Sequence, residues 1–128
     1  MIVLDTHAWL WWQDADEKLS ARARTEIERA ERIGVCTISC YEIAQAVTRG
    51  RIRLDRDVSS WVNQALAADR VDPLELTGRV ASDAGALGED FPGDPVDRII
   101  YATARRHAAR LVTRDRALQR VDPELTVW

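Results

Sequence analysis

The sequence predicts an α/β fold in which helices cover both faces of a central, mainly parallel sheet. Two observations lead to this prediction. Short apolar runs with the length of buried strands alternate with longer segments whose apolar residues recur at helical spacing. The chain has 128 residues, 46% of them hydrophobic and 30% charged, which is enough to build one core without disulfides. We therefore expect a single domain over residues 1–128.

The first half of the chain contains two apolar runs and four helical segments. Ile2-Val3-Leu4 is a short apolar run that ends at an acid, which is typical of a buried strand. Ser20 is a suitable N-cap for an amphipathic helix, and Gly50 is expected to stop the helix that Ser39 opens. The predicted elements are the strand 2–4, the helices 7–13 and 20–32, the strand 34–38, and the helices 39–50 and 56–68.

The second half alternates in the same way. Pro73 lies within an apolar run and removes a backbone donor, so this run predicts an edge strand. Thr77 can cap the helix behind it, and the loop 88–93 is rich in glycine, proline and acids. Pro95 after Asp94 is typical of a helix start. The predicted elements are the strand 71–76, the helices 77–87 and 94–110, the strand 111–113, a short helix after Asp115, and the strand 126–128.

Composition excludes several classes of function. The formal net charge is −3, which argues against a protein that coats nucleic acid through a general positive field. No apolar run is long enough to cross a bilayer, and the N-terminus lacks the pattern of a signal peptide, so we expect a cytoplasmic protein. Cys36 and Cys40 have a spacing that fits no common zinc pair, and we expect two reduced thiols.

Acids near the predicted helix starts have structural explanations when each is taken singly. Ser39-x-x-Glu42 fits a capping box, in which the glutamate reaches back to the N-cap amide. Asp94 before a proline fits an N-cap, and Asp97 then lies in the first turn, where the helix dipole favours a negative charge. We assign Asp94 to the N-cap first and leave its direct role in metal binding open.

Their positions relative to the strands favour a common site. Asp5 and Asp115 stand just beyond the ends of two predicted strands, and ligands of open α/β sheets bind outside such carboxyl ends. Glu42 and Asp97 lie in first turns of helices that open on the same edge. We therefore expect these four acids to converge.

Such a cluster predicts a metal site. Carboxylates without lysine partners repel one another, and a hard divalent cation such as Mg²⁺ or Mn²⁺ relieves this repulsion through all-oxygen ligation. A bound cation can activate water and stabilise the leaving oxygen of a phosphodiester. No histidine or cysteine stands at a comparable place as a nucleophile, so hydrolysis by metal-activated water is favoured over covalent catalysis.

Four segments resemble the motifs of a known family. The opening segment 2–12 (IVLDTHAWLWW) resembles that of PIN-domain ribonucleases, in particular VapC-type toxins of toxin–antitoxin pairs. Three further segments resemble the family's later acidic motifs, and all four come in the family's order over the whole chain. These later segments are 39–44 (SCYEIA), 94–100 (DPVDRII) and 111–115 (LVTRD).

The resemblance implies a PIN-like α/β/α fold of three layers, Mg²⁺- or Mn²⁺-dependent cleavage of RNA, inhibition by a cognate VapB-like antitoxin, and a homodimer. Asp5, Asp97 and Asp115 would face the metal, and Glu42 would bind it directly or through water. The expected supporting hydroxyls are those of Thr6, Ser39 and Thr113.

Several features of the site's surroundings stay open at this point. Pro92-Gly93 stands where relatives often have a basic pair, which puts substrate contacts of this loop in doubt. His7 is expected to be a packed residue of the first helical turn, and Arg98 can pair with a carboxylate or a phosphate. The arginines after the Glu42 helix can guide RNA phosphates, meet an acidic antitoxin segment or be merely solvated. These are Arg49, Arg51, Arg53 and Arg56.

Two alternative functions are considered. A phosphoryl-accepting receiver domain has a similar length and an acidic pocket, but it uses a lysine after a late strand, and the only lysine here is Lys18. The second alternative is a catalytically inactive PIN-fold binding module. Loss of one acid would be its signature, and all of the expected acids are present.

Overall fold

The computed structural model describes all residues, 1–128, and contains one sheet of five parallel strands in the order β3-β2-β1-β4-β5. The predicted mainly parallel sheet is therefore confirmed. The elements are β1 Ile2–Leu4, α1 Thr6–Gln13, α2 Ala21–Arg29, β2 Ile33–Cys36, α3 Ile38–Thr48, α4 Val58–Leu66, β3 Val71–Leu74, α5 Gly78–Gly85, α6 Pro95–Arg106, β4 Arg110–Val112, α7 Arg116–Val121 and β5 Thr126–Val127.

Side chains of the sheet alternate between two cores. In β1, Ile2 and Leu4 belong to the larger core with residues of α1, α2 and α4, whereas Val3 belongs to a second core with residues of α6 and α7. Helices thus cover both faces, as a parallel sheet requires for burial. Trp9 is fully buried and packs edge-on against Trp61, with ring centroids 5.0 Å apart. This tryptophan therefore serves the core.

Several predicted boundaries shift by a few residues. The second strand ends at Cys36, because Thr37 and Ile38 already turn into α3. The helix that begins at Pro95 ends at Arg106 and not at Arg110, since Ala108 adopts a left-handed φ of 49° that stops the helix. The chain then enters β4 earlier than predicted. The other predicted strands and helices are present with similar limits, and β3 is an edge strand as expected.

The strand order reverses at β1 and β4, the two strands that lie side by side in the middle of the sheet. From β1, the chain adds β2 and β3 on one side and β4 and β5 on the other. Loops at the carboxyl ends of such a pair diverge and leave a crevice, which is where open α/β sheets bind ligands.

No helix is both long and apolar enough to cross a membrane. Both cysteines are free, and burial raises the pKa of the Cys36 thiol to about 11.

Candidate metal centre

The crevice between β1 and β4 begins with Asp5 and Thr113. Leu4 pairs with Val112, and the amide of Asp5 donates to the Val112 carbonyl at 3.1 Å. Asp5 and Thr113 therefore follow the two central strands side by side. The Thr113 hydroxyl also accepts a hydrogen bond from the Asp115 amide at 3.1 Å, so it holds the start of the next loop. The two strand ends thus position Asp5 and Asp115 on one edge of the sheet.

Four of the acids act as helix caps, as each one's local sequence predicts. Asp5 accepts from the Ala8 amide at 2.8 Å and Asp115 from the Leu118 amide at 3.1 Å. Asp94 and Asp97 form a reciprocal capping box at the start of α6. Each of these carboxylates uses one oxygen for the cap. The second oxygen of Asp94, Asp97 and Asp115 is left for another partner.

Glu42 differs from the other acids, and the expected capping box with Ser39 is wrong. Helix α3 begins at Ile38, and the residue at its N-cap, Thr37, makes no side-chain cap. Ser39 is fully buried, and its hydroxyl accepts a hydrogen bond from the buried Thr6 hydroxyl at 2.9 Å. This bond ties the first turn of α1 to the first turn of α3. The Glu42 carboxylate makes no hydrogen bond and no ion pair within the protein.

Three carboxylates come within reach of one ion. One ligand oxygen from each of Glu42, Asp94 and Asp97 lies within 4.8 Å of the others. Asp5 and Asp115 line a cavity together with Asp97, so all five predicted acids surround one crevice. An all-oxygen set of half-buried and exposed carboxylates fits a hard divalent cation. Asp94 thus belongs to the group of carboxylates whose oxygens lie closest together, and it is also the N-cap of α6.

Burial and mutual repulsion determine the protonation of these acids. Burial raises the pKa of Asp97 to about 7, and the negative charges of Asp94 and Glu42 act in the same direction. Burial also raises the pKa of Asp5, against the hydrogen bonds from Thr113 and the Ala8 amide and the attraction of His7. Without a cation, the cluster therefore resists full ionisation near neutral pH. This property is expected of a site that binds a divalent cation.

Arg98 does not neutralise the adjacent Asp97. Its guanidinium donates to the carbonyls of Phe91 at 2.8 Å and Leu87 at 3.4 Å, and it lies 5.8 Å from the centre of the Phe91 ring. Of the two partners left open for Arg98, a carboxylate or a phosphate, the carboxylate is therefore not observed. Arg98 instead anchors the loop that leads into the Asp94–Asp97 capping box.

Two residues of the crevice were not recognised from the sequence. His7 is exposed and lines the crevice, although it was expected to be packed. Gly93 has a φ of +100°, and a Cβ built on it would lie 2.7 Å from the Asp97 Cβ and 3.1 Å from Oδ2. Its position directly after Pro92 and two residues before Pro95 gave a signal, but that signal indicates a turn and not a contact.

We expect Gly93→Ala to weaken the metal centre. The new methyl group clashes with Asp97, and the left-handed backbone disfavours any side chain. The predicted effect is a roughly 10- to 100-fold rise in the metal concentration needed for half-maximal binding, comparable to the loss of a supporting contact. Titration of each variant with Mn²⁺ measures this value.

Gly85→Ala is the matched control for this substitution. Gly85 lies in α5, and a Cβ there meets nothing within 4 Å. The control is expected to bind the metal normally and to gain about 0.4–1 kcal/mol of stability. Equal metal affinity of Gly93→Ala and Gly85→Ala would show that the close contact with Asp97 has no effect on the site.

The class of protein that this fold and this site define is the PIN domain. The PIN-domain family model matches residues 2–123, and the chain belongs to this family. The chain is 43% identical to ribonuclease VapC22 from Mycobacterium tuberculosis (strain ATCC 25618 / H37Rv), over 99% of this chain and 98% of that protein. The predicted resemblance is confirmed, and the family match makes the receiver-domain alternative wrong.

Solved structures of low sequence identity share the fold. One is a toxin–antitoxin complex from Klebsiella pneumoniae, with a TM-score of 0.68 and 17% identity over 100% of this chain and 97% of that chain. Another is VapBC2 from Rickettsia felis bound to a DNA fragment from its promoter, with a TM-score of 0.70 and 17% identity over 99% of this chain and 98% of that chain. At this identity, the likeness concerns the fold alone.

Proposed function

We propose that this protein is a metal-dependent endoribonuclease that cleaves RNA phosphodiesters and uses Mg²⁺ or Mn²⁺. The observation that carries the proposal is the group of oxygens from Glu42, Asp94 and Asp97 within 4.8 Å of one another, next to Asp5 and Asp115 in one crevice. The 43% identity to a ribonuclease over nearly the whole chain supports RNA as the substrate.

The proposed roles follow from the contacts of each acid. Asp5, Asp97 and Asp115 hold the cation through the oxygens that their caps leave free, and the unpartnered Glu42 binds it directly or through water. Asp94 orients Asp97 through the capping box and offers an oxygen of its own. The five acids and the crevice would thus form both the metal site and the catalytic site.

Three hydroxyls are proposed to support these acids. Thr113 contacts both Asp5 and the Asp115 amide, so it fixes the distance between two strand ends. The buried pair of Thr6 and Ser39 ties together the starts of α1 and α3, the two helices next to Asp5 and Glu42. Such partners of metal ligands orient the carboxylates before the ion arrives.

The chemistry that this site favours is hydrolysis. A divalent cation, when bound, would supply an activated water and stabilise the charge of the leaving oxygen. The acids after β1 and β4 and those of α3 and α6 would hold the ion in the crevice, and the helix caps orient four of these carboxylates. The His7 ring and apolar side chains such as Trp11 and Ile100 line the cavity beside these acids.

Cleavage of RNA by the purified protein tests the proposal directly. We expect endonucleolytic cleavage in Mg²⁺ and in Mn²⁺, no cleavage in EDTA, and recovery when the metal is added back. Mapping both new ends by sequencing identifies the cleaved bond. A protein that binds RNA and Mn²⁺ but leaves every RNA intact would instead be the inactive binding module.

We further propose that the protein is the toxin of a toxin–antitoxin pair with a VapB-like antitoxin. The name of the 43% identical relative and the toxin–antitoxin complexes of similar fold support this role. Expression of the chain alone is expected to arrest growth, and co-expression of a small protein from the neighbouring gene is expected to relieve it. Failure of that rescue argues against the toxin role and leaves the nuclease proposal intact. The homodimer and the cytoplasmic location stay predictions.

A further inference from the structure

Two cavities meet at the acidic cluster. The larger, of about 590 Å³, contains Asp97 in its lining, and the smaller, of about 290 Å³, contains Glu42 and Asp94. Because the ligand oxygens of these three acids lie within 4.8 Å of one another, the two cavities adjoin. His7 is the one side chain that lines both. The crevice thus has two compartments, which meet at the acidic cluster and at His7.

Each cavity has two arginines in its lining. Arg114 and Arg116 line the larger cavity, and Arg49 and Arg51 line the smaller one. All four are exposed, and none of them makes an ion pair with a carboxylate. By contrast, the nearby Arg56 is paired with Asp55. The charges at the two ends of the crevice are therefore available to an external partner.

Helix stability does not explain the position of Arg116. Arg116 is the first residue of α7, where the helix dipole disfavours a cation. The Arg114 guanidinium lies 5.7 Å from the centre of the Trp11 ring, and His7 stacks at a tilt on the same ring, with centroids 5.5 Å apart. Exposed guanidinium groups beside aromatic rings are typical of grooves that bind a single nucleic-acid strand.

We propose that the two cavities form one groove along which the substrate strand runs, with the cleaved bond at the acidic cluster. Arg49 and Arg51 bind phosphates on one side of this bond, and Arg114 and Arg116 bind phosphates on the other side. The strand crosses between the two halves at His7. This inference rests on the proposed ribonuclease function and names the residues by which its site would hold the substrate.

Binding without cleavage provides the first test. Affinity for an unstructured RNA of about 12 nucleotides is measured in EDTA at several salt concentrations, for the unchanged protein and the double variants Arg49→Gln/Arg51→Gln and Arg114→Gln/Arg116→Gln. Loss of two phosphate contacts is expected to reduce the slope of log affinity against log salt by about 1.4. A variant Arg22→Gln/Arg29→Gln, which removes two exposed, unpaired arginines of α2, is the matched control.

Removal of phosphate charges tests the two sides of the groove separately. An RNA with a mapped cleavage site receives neutral methylphosphonate linkages either upstream or downstream of the cleaved bond. Substitution of either arginine pair is expected to lower kcat/KM roughly tenfold on normal RNA, mainly by raising KM. In each double variant, cleavage should become insensitive to neutral linkages on one side of the cleaved bond only. The affected side should differ between the two variants.

The outcomes separate this inference from the proposed function. If both variants lose sensitivity on the same side, or if their salt slopes equal that of the Arg22→Gln/Arg29→Gln control, the groove is not the path of the strand. If the unchanged protein cleaves no RNA in Mg²⁺ or Mn²⁺, the ribonuclease proposal fails. The salt slopes in EDTA still decide in that case whether the four arginines bind RNA.

Discussion

The Asp97→Asn variant is expected to cleave RNA at least about 10³-fold more slowly than the unchanged protein at saturating Mg²⁺ or Mn²⁺. The amide keeps an oxygen that can accept from the Asp94 amide, so the capping box at the start of α6 survives. It loses the negative charge that a metal ligand contributes at the centre of the cluster. Metal-assisted stabilisation of charge amounts to several kcal/mol, which corresponds to about this factor in rate.

The same substitution should leave the fold intact and stabilise the metal-free protein at alkaline pH. Because the folded-state pKa of Asp97 is raised to about 7, its contribution to stability is present below its ordinary pKa and is lost as the pH rises through 7. Above that pH, the asparagine removes a repelled charge. Thermal unfolding in EDTA near pH 8 is expected to show a melting temperature higher by roughly 2–6 °C.

Asp69→Asn is the matched control for both effects. Asp69 is exposed and makes no ion pair, so the substitution removes one charge away from the crevice. If Asp97→Asn were as active as this control, Asp97 would not be a ligand of the metal centre. A variant that is inactive and also unfolded would instead assign Asp97 a structural role.

Much of the fold could be predicted because strands and helices have different local patterns. A run such as Ile2-Val3-Leu4, with an acid directly behind it, has the properties of a buried strand whatever surrounds it. Helix starts were predictable for the same reason, since Asp94, Thr77 and Ser20 cap through atoms that lie within three residues. Helix ends were less predictable. The left-handed turn that ends α6 lies at Ala108, and not at a glycine or asparagine, from which such a turn could be predicted.

The candidate site could be predicted only in part, because local and distant roles use the same residues. Asp5 and Asp115 were found through their position after strands. They lie close together because the carboxyl ends of the neighbouring parallel strands β1 and β4 meet at one edge of the sheet. Glu42 was found through its place near the start of a helix that directly follows a strand. Only the capping box predicted for it is wrong, because Ser39 bonds to Thr6 across the fold and not to the helix start.

Residues that matter through their position in the folded chain could not be recognised from the sequence. The closeness of Gly93 to Asp97 depends on the positive φ of the turn before α6, and the position of His7 between two cavities depends on how α1 and α6 are placed relative to each other. The spacing of residues in a sequence does not contain that information. Physical proximity across the sheet edge must be observed in the structure.

The affinity of the site for Mn²⁺ is expected to fall steeply as the pH is lowered through 7. Metal ligands bind as carboxylates, so a cation must displace the proton that burial and the charges of Asp94 and Glu42 keep on Asp97. With a pKa of about 7, the ionised fraction of Asp97 falls roughly 25-fold between about pH 7.5 and 5.5. The apparent affinity should fall by a similar factor, as measured by calorimetric titration.

The direction of this effect distinguishes a metal centre from an ordinary group of capping residues. An acid that only caps a helix has a lowered pKa and gains stability as the pH rises, whereas Asp97 loses stability on ionisation unless a cation binds. The rise in melting temperature caused by Mn²⁺ should therefore increase from about pH 5.5 to 8. In Asp97→Asn, both the rise and its dependence on pH should largely disappear. A Mn²⁺ affinity that is equal at both pH values would show that Asp97 is not a ligand, because no ligand of this pKa can bind a cation without releasing its proton.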